Sequence, residues 1–431
     1  WLDVLLPPPA SRGVGSYLQD LRDRFAQLPP PIQSSTGQKV LPNLTVTQFF
    51  SEGGLLAQVV GPDYRLRQAQ QDFALEVEKG MQSTAPFVLE AGTGVGKTIG
   101  YLVPLLLSGK RCFVATHTKN LQDQAWGKDV PTVLKALSLA GLGRTVSILK
   151  GKNSYVCLQT VADWLEDLDE LIEAPQDAFA LAGSLNWLTM THTGWLSEIE
   201  GLGQPDLLDR LGRHQASPSL REPWASIDPH TRAKEAAETA DVVLVNHSWV
   251  IALAQGQSRD DSRAEVLLFD EAHNLEDVAT EALTQHFTPW SLQREIASLL
   301  KRDEKGRVAG LLRPIVEYTD ADKVRELSNF RSALFLLEEA LRRWCHLAAE
   351  RLAEMCEGVS DYDPDTPVLF AMDDFWIPSV YEPAQALRDQ LDGLGLAIEA
   401  LLGRLSDLSI PTRERLPGSL GTLLEHVREN A

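Results

Sequence analysis

The chain has 431 residues, 44% of them apolar and 23% charged, ordinary proportions for a globular protein and enough for about two to four domains with real cores. Four cysteines are too few for a disulfide scaffold and no apolar run approaches the length of a membrane span, so composition argues against a disulfide-stapled secreted protein or a membrane protein and for a reducing, cytoplasmic setting. A net charge of −20 excludes a generally basic nucleic-acid coat, although residues 61–155 reverse the balance with 12 Lys and Arg against 7 Asp and Glu, an excess that chance explains as well as function does.

No leader pattern is read at the start, and the first residue is Trp1 rather than Met, so a trimmed start is expected. Residues 1–45 are rich in Pro, Ser and Gly, with three prolines at 7–9 and again at 29–31, and read as linker-like material carrying one short amphipathic helix over 17–28. Next, Thr47-Gln48-Phe49-Phe50 leads into a Gly-rich turn, and Tyr64-Arg65-Leu66-Arg67-Gln68-Ala69-Gln70-Gln71 opens a helix to about residue 79. Arg67 and Gln70 lie at a distance before the next motif from which an amide and a guanidinium could read an adenine edge; when the stretch stands alone, a plain polar helix start is the preferred reading.

Residues 86–89 read as a strand, 98–107 as a helix, and Glu90-Ala91-Gly92-Thr93-Gly94-Val95-Gly96-Lys97-Thr98 joins them. Strand, glycine-rich turn, helix is a phosphate cradle: glycines let backbone N–H groups turn toward an anion, and the helix beginning at Lys97 adds its positive end. Lys97 is placed to reach the β- and γ-phosphates of ATP, and the Thr98 hydroxyl to hold Mg²⁺. The strict pattern starts with Gly where this chain has Ala91. Strands over 111–115 and 145–149 and a helix over 119–125 continue an α/β rhythm with a parallel sheet. Thr116, Thr118 and Lys119, after a strand and before a helix, suit a nucleic-acid phosphate, and a helix cap explains them as well. Far downstream, the apolar run 264–269 ends in Asp270-Glu271-Ala272-His273. Asp270 is placed to hold Mg²⁺ and Glu271 to polarise the attacking water, which together with the cradle reads as nucleoside triphosphate hydrolysis.

Five stretches carry a resemblance: Glu90 to Thr98, Thr116 to Gln124, Gly151-Lys152-Asn153-Ser154-Tyr155-Val156-Cys157-Leu158, Val242-Val243-Leu244-Val245-Asn246-His247, and Asp270 to Asn274. Their order and rough spacing resemble the DinG/XPD-like superfamily 2 DNA helicases over roughly residues 45–280. The resemblance implies a P-loop (RecA-like) motor domain in two parts, 46–156 and 239–280, a small insertion at 157–238, and a helical arch-like region over 281–431. It implies that the whole loop from Ala91 to Thr98 and His273 serve ATP, that His273 couples the nucleotide and DNA sites, and that Asn246 and His247 help sense nucleotide or DNA. It also implies 5′-to-3′ movement on single-stranded and forked DNA. In that family the insertion holds an iron–sulfur cluster on four cysteines; here no second cysteine lies between Cys157 and Asn246, so no cluster is expected. Trp164, Trp187, Trp195 and Trp224 then supply the insertion's core or stack bases, and core is the preferred reading because a small metal-free domain needs burial.

Beyond Glu276 the chain reads as mostly helical. Leu334, Leu337, Leu341, Trp344, Ala348, Leu352 and Met355 fall on one helical stripe, another amphipathic helix covers 384–405, and this region offers a surface for a protein partner. Asp361, Asp363 and Asp365 lack the glycine and bidentate Glu of a calcium loop and read as a solvated acidic loop. Neither the serine-alanine-threonine motif nor the second motor domain of the family is found before Ala431, so this chain alone is expected to hydrolyse ATP poorly without an arginine finger. A cluster-less relative serving a CRISPR system and a non-hydrolysing ATP-binding switch are the alternative functions.

Overall fold

The computed structural model describes residues 14–39, 44–166, 175–202, 211–212, 224–255, 264–284, 325–356 and 376–405. The chain divides into two compact units, one of Trp1–His214 with Leu220–Thr284 and one of Gln215–Ser219 with Gln285–Ala431.

The first unit is built on a five-stranded sheet of β1 (Ile32–Ser34), β2 (Cys112–Thr116), β3 (Thr145–Ile148), β4 (Val242–Asn246) and β5 (Val266–Phe269), in the order β1-β3-β4-β2-β5. β3, β4, β2 and β5 run parallel, and β1 lies antiparallel on β3. The central strands are unbroken apolar runs because both their faces are covered, and Val242 to Val245 are each 0% exposed. The helices of this unit are α1 (Val14–Gln27), α2 (Val46–Phe50), α3 (Leu55–Val60), α4 (Gln68–Gly80), α5 (Lys97–Ser108), α6 (Lys119–Gln124), α7 (Val130–Leu139), α8 (Leu158–Glu166), α9 (Pro175–Leu188), α10 (Trp224–Ile227), α11 (Pro229–Thr239), α12 (His247–Ala254) and α13 (Leu275–Leu283). A π-helical turn, Ala125–Asp129, joins α6 to α7. The α/β architecture with a mostly parallel sheet agrees with the expected motor fold. Its consequence for function is directional: β2, β4 and β5 each end in a motif, so that chemistry collects along one edge of the sheet.

Two expectations are corrected. Residues 86–89 do not form a strand. A strand needs a hydrogen-bonded neighbour, and among the described residues β5 is the last strand of the sheet and pairs only with β2. Val88 is 90% exposed, and Phe87 leans on the end of α4, where a Cβ on Gly80 would come within 2.6 Å of its ring. Residues 14–39 of the N-terminal segment are not a linker either. β1 belongs to the sheet, and α1 buries Tyr17, Leu18, Leu21 and Phe25 in a second core with Val161 and Leu165 of α8, Leu185 and Trp187 of α9, and Trp224. Tyr17 donates to Leu185 O at 2.6 Å, Arg24 reaches Thr191 O, and the Arg22 guanidinium lies 4.5 Å over the Trp224 ring. The insertion is therefore held from the N-terminal side by a helix that sequence periodicity finds but cannot place.

Trp187, Trp195 and Trp224 are 7%, 8% and 6% exposed, which agrees with a core role. The side chain of Trp164 lies outside the described residues. The second unit contains α14 (Arg325–Cys356) and α15 (Pro378–Leu405), which pack on each other. Phe330, Leu334, Leu337, Leu341 and Ala348 of α14 are buried, as are Val380, Leu387, Leu391, Leu394 and Ile398 of α15, so the first part of the expected stripe is packed, while Trp344 and Met355 are half-buried and the side chain of Leu352 lies outside the described residues. The acidic loop at 361–365 lies outside the described residues. No helix among the described residues is long and apolar enough to cross a membrane.

Candidate nucleotide site

The loop from Ala91 to Gly96 turns on Gly94 and Gly96, whose φ angles of +77° and +87° favour glycine. A Cβ added at Gly92 or Gly94 would meet nothing within 4 Å, so the loop faces open space on that side, whereas one at Gly96 would come within 2.3 Å of Gln70 Nε2. That close approach has a cause. Gln70 donates to Gly96 O at 2.9 Å, and Arg67 Nη1 donates to Gly94 O at 3.3 Å. Arg67 and Gln70, expected to read a base, here brace the loop's backbone instead.

α5 begins at Lys97 without a side-chain cap, leaving its first N–H groups turned toward the loop. Lys97 Nζ lies 2.6 Å from Glu271 Oε1, across 174 residues of sequence. One turn further along α5, the Tyr101 hydroxyl donates to Asp270 Oδ2 at 3.2 Å. The backbone of Asp270 is fixed on both sides: its N–H donates to Ala115 O at 2.8 Å, and its carbonyl lies 2.9 Å from His247 Nε2. Burial pushes the Asp270 carboxyl above the usual carboxylate range, against the pull of Lys97. The hydrogen bond from Lys97 holds Glu271 below that range. Tyr101 is fully buried and its phenol is pushed well up, so it stays a donor. Asp129, at the end of the π-helical turn, is buried and raised as well, while hydrogen bonding with the Thr98 hydroxyl draws it back. Glu271 has φ +55°, the one positive φ outside glycine among the described residues, a strained backbone of the kind found at working sites.

The donor set of Thr98 hydroxyl and Asp270 carboxylate is all oxygen, which fits a hard cation such as Mg²⁺ completed by phosphate oxygens. Lys97 at the end of the glycine loop thus lies against Glu271, next to the half-buried Asp270.

Comparison with known proteins agrees. A family model described as DEAD_2 matches residues 225–292, which contain β4, β5 and the Asp270-Glu271 pair. The protein named ATP-dependent DNA helicase YoaA of Haemophilus influenzae is 33% identical over 259 residues, covering 56% of this chain and 38% of that protein. Its Escherichia coli namesake is 31% identical over 263 residues, covering 59% and 40%. The protein named 3'-5' exonuclease DinG of Bacillus subtilis is 30% identical over 250 residues, covering 57% and 26%. Over these stretches the chain is similar to proteins named as DinG and YoaA helicases. It spans well under half the length of the relatives it matches.

The residues expected to face DNA divide sharply. Thr116 is 1% exposed, with its hydroxyl directed at Thr118 O and Val245 O, and cannot grip a phosphate from there. Thr118 caps α6, its Oγ1 accepting from Leu121 N–H at 3.2 Å, and Asn246 caps α12, its Oδ1 accepting from Trp249 N–H at 2.9 Å. His247 is 0% exposed and lies with ring centroids 5.9 Å from His117 and 5.6 Å from Phe269. It holds the end of β5 rather than meeting a strand. Lys119 remains exposed. His273 is exposed beside the site, Nδ1 lying 3.5 Å from Glu271 Oε2. Tyr101 was missed by motif reading; its position four residues after Lys97 on one helix face was the available signal. The buried pair of Lys150 and Asp123, 2.5 Å apart, left no local pattern.

Proposed function

We propose that this chain is the first motor half of an ATP-dependent DNA helicase that moves 5′-to-3′ on single-stranded and forked DNA and carries no iron–sulfur cluster. One observation carries the hydrolytic part of the reading: Lys97 and Glu271 converge within 2.6 Å of each other beside the half-buried Asp270. The helicase names of the relatives support the DNA part; the direction rests on the family resemblance.

Lys97 exchanges its partner Glu271 for the β- and γ-phosphates of a triphosphate lying in the 91–96 loop. That exchange frees Glu271, which then orients the attacking water and accepts its proton. Thr98 and Asp270 would hold Mg²⁺, whose charge offsets that of the phosphates. Tyr101 fixes the Asp270 carboxylate through its hydroxyl, and His247 fixes the Asp270 carbonyl, so neither depends on a mobile loop. The family resemblance puts the arginine finger on a second motor domain, so slow turnover by this chain alone is part of the proposal.

The test is ATP hydrolysis with and without single-stranded DNA, on this chain and on a longer protein containing it, with Glu271→Gln as control. DNA-stimulated turnover in the longer protein, abolished by Glu271→Gln, is the expected result. Tight ATP binding without turnover in either would replace the motor with an ATP-binding switch.

A further inference from the structure

A cavity of about 220 Å³ lies at the opposite end of the same sheet edge. The topology puts it there. β1 runs antiparallel to β3, so the prolines that precede β1 sit beside the C-terminal end of β3, where Ile148 N–H donates to Pro31 O at 3.4 Å. β5, which leads into Asp270, and β1 are the two outer strands of the order, and the exposed Lys119 and Lys152 follow the C-terminal ends of β2 and β3 between them.

The walls are rigid and flat. Phe25, Pro30 and Pro31 contribute from the N-terminal side, and Trp126 and Trp195 from the π-helical turn and the insertion. Gln33 Nε2 donates to Trp126 O at 3.1 Å and ties that turn to β1. Lys150, 2% exposed and 2.5 Å from Asp123, stands 3.8 Å over the Trp195 ring and fixes it. Arg232 is the charged group of the lining, half-buried, with Nη1 donating to Phe25 O; the lining contains no carboxylate.

We propose that this cavity receives one unstacked nucleobase of a single strand crossing the sheet edge, a subsite that rests on the DNA reading above. Aromatic and proline surfaces suit the face of a base, and a guanidinium with donors to spare suits its carbonyl or ring-nitrogen edge. The volume falls below the range of about 300–1,000 Å³ typical of pockets for whole drug-sized ligands, which fits a base better than a nucleotide. Trp126 of the lining belongs to the stretch 61–155, where 12 Lys and Arg face 7 Asp and Glu and a phosphate backbone is drawn.

The test compares binding of a short single-stranded oligonucleotide with binding of the same backbone made abasic, at one salt concentration, for wild type, Trp126→Ala, Arg232→Met and Lys119→Ala. Thermal melts establish that each variant is folded. Wild type should prefer the intact strand by roughly tenfold, about the effect of one stacked base. Trp126→Ala and Arg232→Met should bring that ratio toward one, whereas Lys119→Ala should weaken both oligonucleotides and keep it. A 2-aminopurine scanned along the strand should change fluorescence at one position only, and lose that change in Trp126→Ala. Equal binding of intact and abasic strands by wild type, or a ratio that survives in both cavity variants, overturns the subsite while leaving the DNA reading in place. Binding of neither strand overturns the DNA reading itself. A proline-rich peptide bound through Trp126, with no base preference, would assign the cavity to a protein partner instead.

Discussion

Lys97 and Glu271 are paired across the site although each is assigned to a different part of a triphosphate and its water. A carboxylate held by a lysine is a poor base, because the ion pair favours the ionised form and lowers proton affinity. The same contact therefore stores Glu271 in a quiet form until phosphate competes for Lys97. Tyr101 is a cleaner probe, since its hydroxyl acts on the site through Asp270. Tyr101→Phe should keep the fold, cost about 0.5–1.5 kcal/mol of stability in urea unfolding, and slow ATP turnover by several-fold. Lys150 provides a pH test. Burial lowers its pKa below the ordinary 10.5, with Asp123 pulling it back up. The unfolded chain then binds the proton more tightly than the folded one, so a stability cost present below the lowered value fades as pH rises toward 10.5. In urea melts, wild type should gain on Lys150→Met across that interval and run parallel to it at lower pH.

At the scale of elements, α1 is the least expected part of the molecule. Its amphipathic spacing is legible, and the observed Val14–Gln27 lies close to the expected 17–28. Its partner is not, because periodicity says which face is buried and never against what. Phe25 is 1% exposed and joins α1 to the insertion, so Phe25→Ala should cost about 3–5 kcal/mol in denaturant unfolding. The opposite failure is residues 86–89, where an apolar run reads as a strand but β5 does not pair with it. Strand formation depends on a neighbour that local sequence cannot supply. The loop between is better specified. At Gly96 both the positive φ and the approach of Gln70 exclude a side chain, so Gly96→Ala should weaken ATP binding by at least tenfold in a nucleotide titration, and Gln70→Ala should restore only part of it.

For the molecule as a whole, the motifs were legible as patterns because each needs fixed residue types at fixed spacing, and two of them meet: Lys97 contacts Glu271. The surface-facing assignments fared less well. Thr116 and His247 sit at strand ends, which sequence places correctly, yet both point inward, a choice set by packing across β2, β4 and β5. Lys119 and Lys152 are the exposed cations that follow β2 and β3, on a chain whose net charge is −20. DNA binding should accordingly be weak and steeply salt-dependent, with a log–log slope of about −1 to −3 for single strands, the signature of a few phosphate contacts. A slope near zero in an anisotropy titration would move the DNA contacts away from Lys119 and Lys152.

The central claim is that the 91–96 loop, Lys97 and the Asp270-Glu271 pair form one Mg-ATP site. Calorimetric titration of ATP, with and without Mg²⁺, into wild type, Lys97→Ala and Glu271→Gln tests it most directly. The predicted result is Mg-dependent binding by wild type, at least tenfold weaker binding by Lys97→Ala, and equal or tighter binding by Glu271→Gln, where Lys97 no longer has a charged competitor. Equal ATP affinity in wild type and Lys97→Ala, with both folded, would contradict the account.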